Sequence, residues 1–432
     1  MHPIQKIVAD QKAGKRAGIY SCCSANEYVL KAALLRGKQT NSPILIEATA
    51  NQVNQFGGYT GMKPADFYAY VLKLTQEMDV DISQVILGGD HLGPLTWTDL
   101  PEADAMANAR ELVRQFVLAG FTKIHLDTSM RVADDSHTER LSDETIARRG
   151  AELCVVCEQA YAERKAAYPD AVAPVYIIGS EVPIPGGAQE AEESIEVTHP
   201  EDCLATYRTF KKAYADHGIQ DAWKRVVGLV VQPGVEFGDE DIFAYNPEAA
   251  TNLIAVLKDL PLVFEGHSTD YQTKECLRNM VTDGIAILKV GPALTFAMRE
   301  GLYALDSMEK ELLLGSGKPI SNVRETLDHV MLADDHNWKK HYHGDGNQQA
   351  FKRAYSFSDR ARYYIPQPEV ESAVALMMKN LRETHVPVSL ISQYMPMQYT
   401  AVREGRISAD PEALLIDRIC NCIDEYLYAT IE

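Results

Sequence analysis

The stretch Ile86-Leu87-Gly88-Gly89-Asp90-His91-Leu92-Gly93-Pro94 sets an acid beside an imidazole directly after an apolar run. An aspartate can accept a proton and a neutral imidazole can hold a metal, so this pair could begin a reactive site. Other apolar runs end in the same manner. Glu47 closes one, with Asn51 and Gln52 just beyond it. Asp127 and Ser129 follow another, then Glu181, then Gln232, then Glu265, His267, Ser268 and Asp270, and finally Lys289. His91, Glu181, Glu265 and His267 have the chemistry for a divalent cation. Two imidazoles with one or two carboxylates suit Zn²⁺, Mn²⁺ or Co²⁺ better than Ca²⁺. Asp90 and Glu265 are the candidates for proton transfer, with His91, Glu181 and His267 as metal ligands. Glu47, Asn51, Gln52, Asp127, Ser129, Gln232, Ser268, Asp270 and Lys289 are candidates to line a ligand. Lys289 could neutralise a phosphate or pair with a carboxylate of the same rim.

Such residues converge only if the elements carrying them do. Eight β-rich runs recur near residues 18, 43, 85, 123, 175, 226, 262 and 286. Most are nearly continuous in apolar residues, as strands covered on both faces of a parallel sheet must be. Helical periodicity fills the intervals, as in Ala103–Phe121 and Asn246–Leu260. A strand and a helix repeated eight times read as a (β/α)8 barrel over residues 1–300. A doubly wound sheet is the alternative, but no GxGxxG follows the first strand. Beyond residue 300 the strand rhythm stops, and residues 301–432 read as a helical region packed on the barrel. Barrel sites form at the carboxyl ends of the strands, where these polar residues fall. A buried strand loses stability through an unpaired charge, so a shared polar site is the simplest reason for this crowding.

The bulk of the chain narrows the possibilities. It has 432 residues and a formal charge of -19, which argues against nucleic acid or an anionic membrane as partner. A phosphorylated ligand stays possible where a pocket is locally basic. There is no apolar run of spanning length and no apolar signal core at the start, so a cytoplasmic protein is expected. The eight cysteines have no regular spacing and read as reduced thiols. Cys154 and Cys157 form a CxxC, but within a helical stretch that points to core packing.

The motifs LIEATANQVNQFGGYTGM, ILGGDHLGP, KIHLDTSM, GSEVPIPGG, VVQPGVEF, HSTDYQT, ILKVGPALTFAMRE and LISQYMP together resemble the GatZ/KbaZ family, the Z subunits of D-tagatose-1,6-bisphosphate aldolase. The likeness covers nearly the whole chain. It implies a non-catalytic accessory role, supporting the activity and stability of a separate catalytic Y subunit in galactitol or N-acetylgalactosamine catabolism. It also implies a barrel like that of the class II aldolases. In those enzymes an Asp-His pair ends the third strand, the histidine binds zinc and the aspartate works on a hydroxyl. Asp90 and His91 match that pair. Gln232 stands where those enzymes bring a second histidine, and Gly266-His267-Ser268 replaces their His-Gly-Gly-Ser loop, so a depleted histidine set is expected. An older label for such chains, tagatose 6-phosphate kinase, has no GxxxxGK[ST] to support it. The polar rim leaves a second expectation open. It is a metal-dependent ketohexose C4-epimerase or aldolase, acting on tagatose, fructose or their phosphates.

Overall fold

The computed structural model describes residues 1–136, 138–182 and 195–431. The GSEVPIPGG motif therefore lies outside the described residues from position 183 onward.

Eight parallel strands close into a barrel: β1 (Ile19–Cys22), β2 (Ile44–Thr49), β3 (Val85–Leu92), β4 (Lys123–Leu126), β5 (Val175–Ile178), β6 (Val226–Val231), β7 (Val263–Gly266) and β8 (Ile285–Val290). Each pairs with the next in sequence, and β8 returns to β1 through Ile19–Ile287 and Cys22–Val290. Helices separate the strands and cover the barrel, so the (β/α)8 expectation holds. Several strands stop where their apolar residues do. β4 ends at Leu126, β5 at Ile178 and β8 at Val290, because the chain beyond each leaves the ladder to turn.

The barrel is filled in layers, as the period of two along a strand requires. Ile19, Leu45, Ile86, Val175, Val263 and Ile287 form a lower apolar layer. The helix Pro3–Lys12 closes this end by inserting Ile4 and Val8 into the same cluster. Two residues further along the strands the layer changes character: Ser21, Glu47, Lys123, Glu265 and Lys289 are all buried. Gly88 faces Glu47 across the β2–β3 ladder, and a Cβ there would sit 2.7 Å from the Glu47 Cγ. A glycine is needed to seat that carboxylate. Of the next positions, Cys23, Thr49, Asp90 and His267 line the cavity at the upper end.

Helices follow the barrel, ending with Pro411–Thr430. That helix lies against the helices Glu27–Thr40, Lys274–Thr282 and Pro292–Leu313. Arg36 reaches Asp424 at 2.6 Å, and the Tyr426 hydroxyl donates to the Thr269 carbonyl at 2.8 Å. Between the helices Gly346–Tyr355 and Pro368–Thr384, a segment with the turn Arg360–Tyr363 reaches the barrel mouth. Tyr271 and Thr295 pin it, through hydrogen bonds to the Phe357 carbonyl (2.6 Å) and the Asp359 carboxylate (2.6 Å). The chain bends at Gly344–Asp345 and then enters a helix capped by Asp345. Cys154 and Cys157 are buried thiols of the helix Asp143–Ala167. No described helix is long and apolar enough to cross a membrane.

Candidate active site

In a regular strand Asp90 and His91 would point to opposite faces. Both are buried at the barrel mouth. The pairing of β3 with β4 shifts between Gly89 and Leu92, and His91 takes the left-handed conformation with φ 48°. A bulge of this kind re-aims side chains. It lets neighbouring residues serve one site, at a backbone cost of about 1–3 kcal/mol.

Three imidazoles meet there. The rings of His91, His125 and His267 form a triangle with centroid separations of 5.1, 5.0 and 5.2 Å. Each is tethered by a carboxylate at one nitrogen. His91 Nδ1 lies 2.7 Å from Asp127, His125 Nδ1 2.8 Å from Asp90, and His267 Nε2 3.0 Å from Glu265. A carboxylate favours the proton on the nitrogen it tethers, while His125 Nδ1 also receives the His91 backbone N–H at 3.3 Å. His125 Nε2 is buried with no hydrogen-bond partner, which is a cost unless a ligand takes it up. Asp90, His125, Glu265 and His267 each offer a ligand atom within 4.8 Å of the others. These residues fit a divalent cation. His125 was passed over in the sequence because it lies inside a strand, yet its spacing of two from Lys123 and Asp127 puts it on the inward face. It makes good the depleted histidine set.

Below the triangle the charges interlock. Lys289 Nζ meets Asp90 at 2.6 Å, Glu47 at 2.8 Å and Glu265 at 3.9 Å. Lys123, fully buried, meets Glu47 and Glu265 at 2.6 and 2.7 Å, though without hydrogen-bond alignment. The carboxylates of Glu47, Asp90 and Glu265 face two ammonium groups, which leaves a local excess of negative charge for a cation to balance. Burial would raise the Asp90 carboxyl, but His91, Lys289 and His125 outweigh it and hold it well below the usual range. Burial likewise opposes ionisation of Glu265, and Lys123, Lys289 and His267 overcome it. Burial pushes His267 down to about 3, so its ring is neutral. His91 shifts upward, because Asp90 and Asp127 outweigh its burial.

A cavity of about 490 Å³ opens above this network. Asn51, Gln52, Asp90, His91, His267, Ser268, Asp270 and Lys289 all line it. Asp270 is raised to about 6 by burial, against the backbone N–H groups that lower it. Its Oδ1 accepts from Gly291 (3.0 Å) and Ala293 (2.8 Å), leaving Oδ2 outside those bonds. Other expected residues fall behind the first row. Asp127 and Ser129 brace His91, with Ser129 Oγ donating to Asp127 at 2.6 Å. Glu47 lies in the buried layer beneath. Gln232 braces its own loop by accepting from the Gly234 and Val235 N–H groups. Glu181, expected as a metal ligand, stands apart from the histidines: it pairs with Arg140 at 3.2 Å and accepts from Thr198 at 2.8 Å. β5 ends at Ile178, so Glu181 belongs to the following loop. Cys23, Arg362 and Tyr363 also line the cavity, the last two from a segment no strand-end rule could reach.

Residues 4–431 match a family model described as D-tagatose-1,6-bisphosphate aldolase subunit GatZ/KbaZ-like. The chain is similar to a crystal structure of a "probable tagatose 6 phosphate kinase" from Sinorhizobium meliloti, with 43% identity and a TM-score of 0.87, covering 95% of this chain and 100% of that one. A fructose-bisphosphate aldolase from Campylobacter jejuni matches at 19% identity and TM-score 0.43, over 88% of this chain and 92% of that one. The YdjI aldolase from Escherichia coli matches at 11% identity and TM-score 0.41, over 89% and 98%.

Proposed function

The chain belongs to the GatZ/KbaZ-like family of D-tagatose-1,6-bisphosphate aldolase subunits, and from that premise we propose an aldolase-associated subunit whose own barrel mouth binds a divalent cation and a ketose. The observation that carries this reading is the carboxylate-tethered triangle of His91, His125 and His267. A merely structural barrel has no physical reason to bury three imidazoles with an unpartnered ring nitrogen among them.

His125 and His267, with Asp90 and Glu265, would hold the cation, and His91 completes the ring of imidazoles. Zn²⁺, Mn²⁺ and Co²⁺ suit this donor set. A bound cation would polarise the ketose oxygens and stabilise negative charge developing on them. Asp90 holds His125 and Lys289 through Oδ1, and its depressed pKa makes it a weak base. Asp270 is better matched to neutral pH, and its Oδ2 is the available proton acceptor. Loss of the C4 hydroxyl proton to Asp270 lets the C3–C4 bond open, its electron pair passing to the ketose fragment. Release of the aldehyde is cleavage. Re-closure on the other face, with the proton returned, inverts C4.

The second reading is a support for a separate catalytic Y subunit, with no chemistry here. The family's own description as a subunit favours it, as does the closed ion-pair network around Lys289. One assay set separates the two. The purified chain is tested alone and with a Y-type aldolase, on tagatose, fructose and their phosphates, with chelator or added metal. Activity of the chain alone, lost with chelator and with His125→Ala, supports the first reading. Stimulation of the Y subunit that survives both treatments, with the chain inactive alone, establishes the second.

A further inference from the structure

We infer that the turn Arg360–Tyr363 forms an anion pocket at the barrel mouth that receives the phosphate group of a sugar monophosphate, with Arg362 as its donor fork. The inference rests on the proposed ketose site for the identity of the sugar, while the pocket stands on its own geometry. Arg362 and Tyr363 line the same cavity as His91, His267 and Asp270. At about 490 Å³ that cavity has the size of a small-ligand site.

The Arg362 guanidinium is fixed before any ligand arrives. Nη1 donates to the carbonyls of Ser358 and Asp359, the latter at 2.9 Å, and Nη2 to the Tyr363 hydroxyl at 3.1 Å. The guanidinium also stacks 4.5 Å over the Tyr363 ring. The donors that remain without a partner among the described residues are Nε–H and the second Nη2–H. Nε and Nη2 share the guanidinium edge whose fork binds a phosphate through two oxygens. The Tyr363 hydroxyl accepts from Arg362, which leaves its own proton to donate.

Charge supports the assignment. The chain carries a formal -19, yet Arg360 and Arg362 stand together here. Burial and the neighbouring Arg362 both push the Arg360 pKa down. The ion pairs of the region engage other cations, Arg299 with Asp359 at 3.1 Å and Lys352 with Asp239 at 2.8 Å. Asp359 is further occupied by Thr295, and Asp270 by the N–H groups that open the helix Pro292–Leu313. Burial and the two arginines act on the Tyr363 phenol in opposite directions; the arginines win and lower its pKa, which strengthens it as a donor. Arg362 stands on the cavity wall, and Arg360 lies buried behind it with Nη2 3.2 Å from His341 Nδ1; two neighbouring guanidinium groups are unfavourable until an anion joins them.

The test is calorimetric titration of the full chain, stripped of metal by chelator, with inorganic phosphate, fructose and fructose 6-phosphate. Fructose 6-phosphate should bind at least about 10-fold more tightly than fructose. Arg362→Lys, which keeps the charge but loses the fork, should cost about 10–100-fold for the phosphate and little for fructose. Tyr363→Phe should cost severalfold with an unchanged Tm. Equal binding of the two sugars, or full phosphate affinity in Arg362→Lys, overturns the pocket. Should Arg362→Lys not fold, the wild-type comparison and Tyr363→Phe decide it. Failure of the metal reading would show instead as melting indifferent to chelator, with the phosphate titration intact.

Discussion

His125 shows most directly what a single side chain does here. Its Nδ1 is held by Asp90, and its Nε2 is left buried and unpartnered. A cation that binds only the folded chain stabilises it, by about 2.7 kcal/mol at a hundred times its Kd. Added Zn²⁺ or Mn²⁺ should therefore raise the Tm of chelator-treated protein, and His125→Ala should abolish that rise. Identical melting of the wild type with chelator and with metal would reject the site. Lys123 gives a prediction independent of metal. It is fully buried between Glu47 and Glu265. Lys123→Met would remove one of the two ammonium groups that Glu47 and Glu265 share and should cost about 3–5 kcal/mol in urea unfolding. Asp90, His91, Glu265, His267 and Lys289 were legible in the sequence because each ends or follows an apolar run. His125 and Lys123 were not, since the eye rests on strand ends rather than on the alternation within them. Glu181 was misleading because the strand stops at Ile178, three residues before it, so the acid falls in the loop.

Elements place these side chains, and two of them can be tested. The helix Pro3–Lys12 is capped by His2, whose Nδ1 accepts from the Ile4 N–H at 3.2 Å while Nε2 meets Thr122 at 3.1 Å. That cap requires a neutral ring, and burial, then the terminal amine, lowers the pKa of His2 from 6.5 to about 4. The unfolded chain binds the proton more readily between these values. The cap's contribution is therefore complete above about pH 6.5 and lost as pH falls toward 4, by up to roughly 3 kcal/mol. Urea midpoints against pH should slope in that window, and His2→Asn should flatten the slope. Gly93, just after β3, is the second test. A Cβ there would lie 1.7 Å from the Asp127 carbonyl oxygen. Gly93→Ala must displace the strand that tethers His91, with a loss of about 3 kcal/mol or more. Thermal melting with and without metal should show both the loss and a weakened metal response. The strands themselves were plain in the sequence, since buried parallel strands are written in continuous apolar residues. The bulge at His91 was not, because nothing in Asp90-His91 announces a positive φ.

At the scale of the molecule, the barrel and the helices that follow it share their core and their cavity. Leu414, Leu415, Ile419 and Ile423 belong to the same buried cluster as Leu34 and Leu277. Unfolding should be a single transition by both fluorescence and circular dichroism. Truncation before Pro411 should leave no soluble barrel, because it exposes that face and removes the Arg36–Asp424 and Tyr426–Thr269 contacts. A truncated chain that folds and melts like the whole one would contradict this. The helical character of the tail was legible from its periodicity. That its turn at Arg360–Tyr363 would reach the site was not, since no local pattern records which loop crosses a distant mouth.

The helix that plugs the lower end turns the barrel into a cul-de-sac. Ile4 and Val8 seal one end, so whatever reaches the histidines comes and goes by the other. A molecule split inside such a dead end cannot shed its halves in either order. On the proposed cleavage, the half nearer the turn Arg360–Tyr363 leaves before the half against the imidazoles. Traffic through one doorway makes departure sequential, with the last fragment out also the first obstacle to the next arrival.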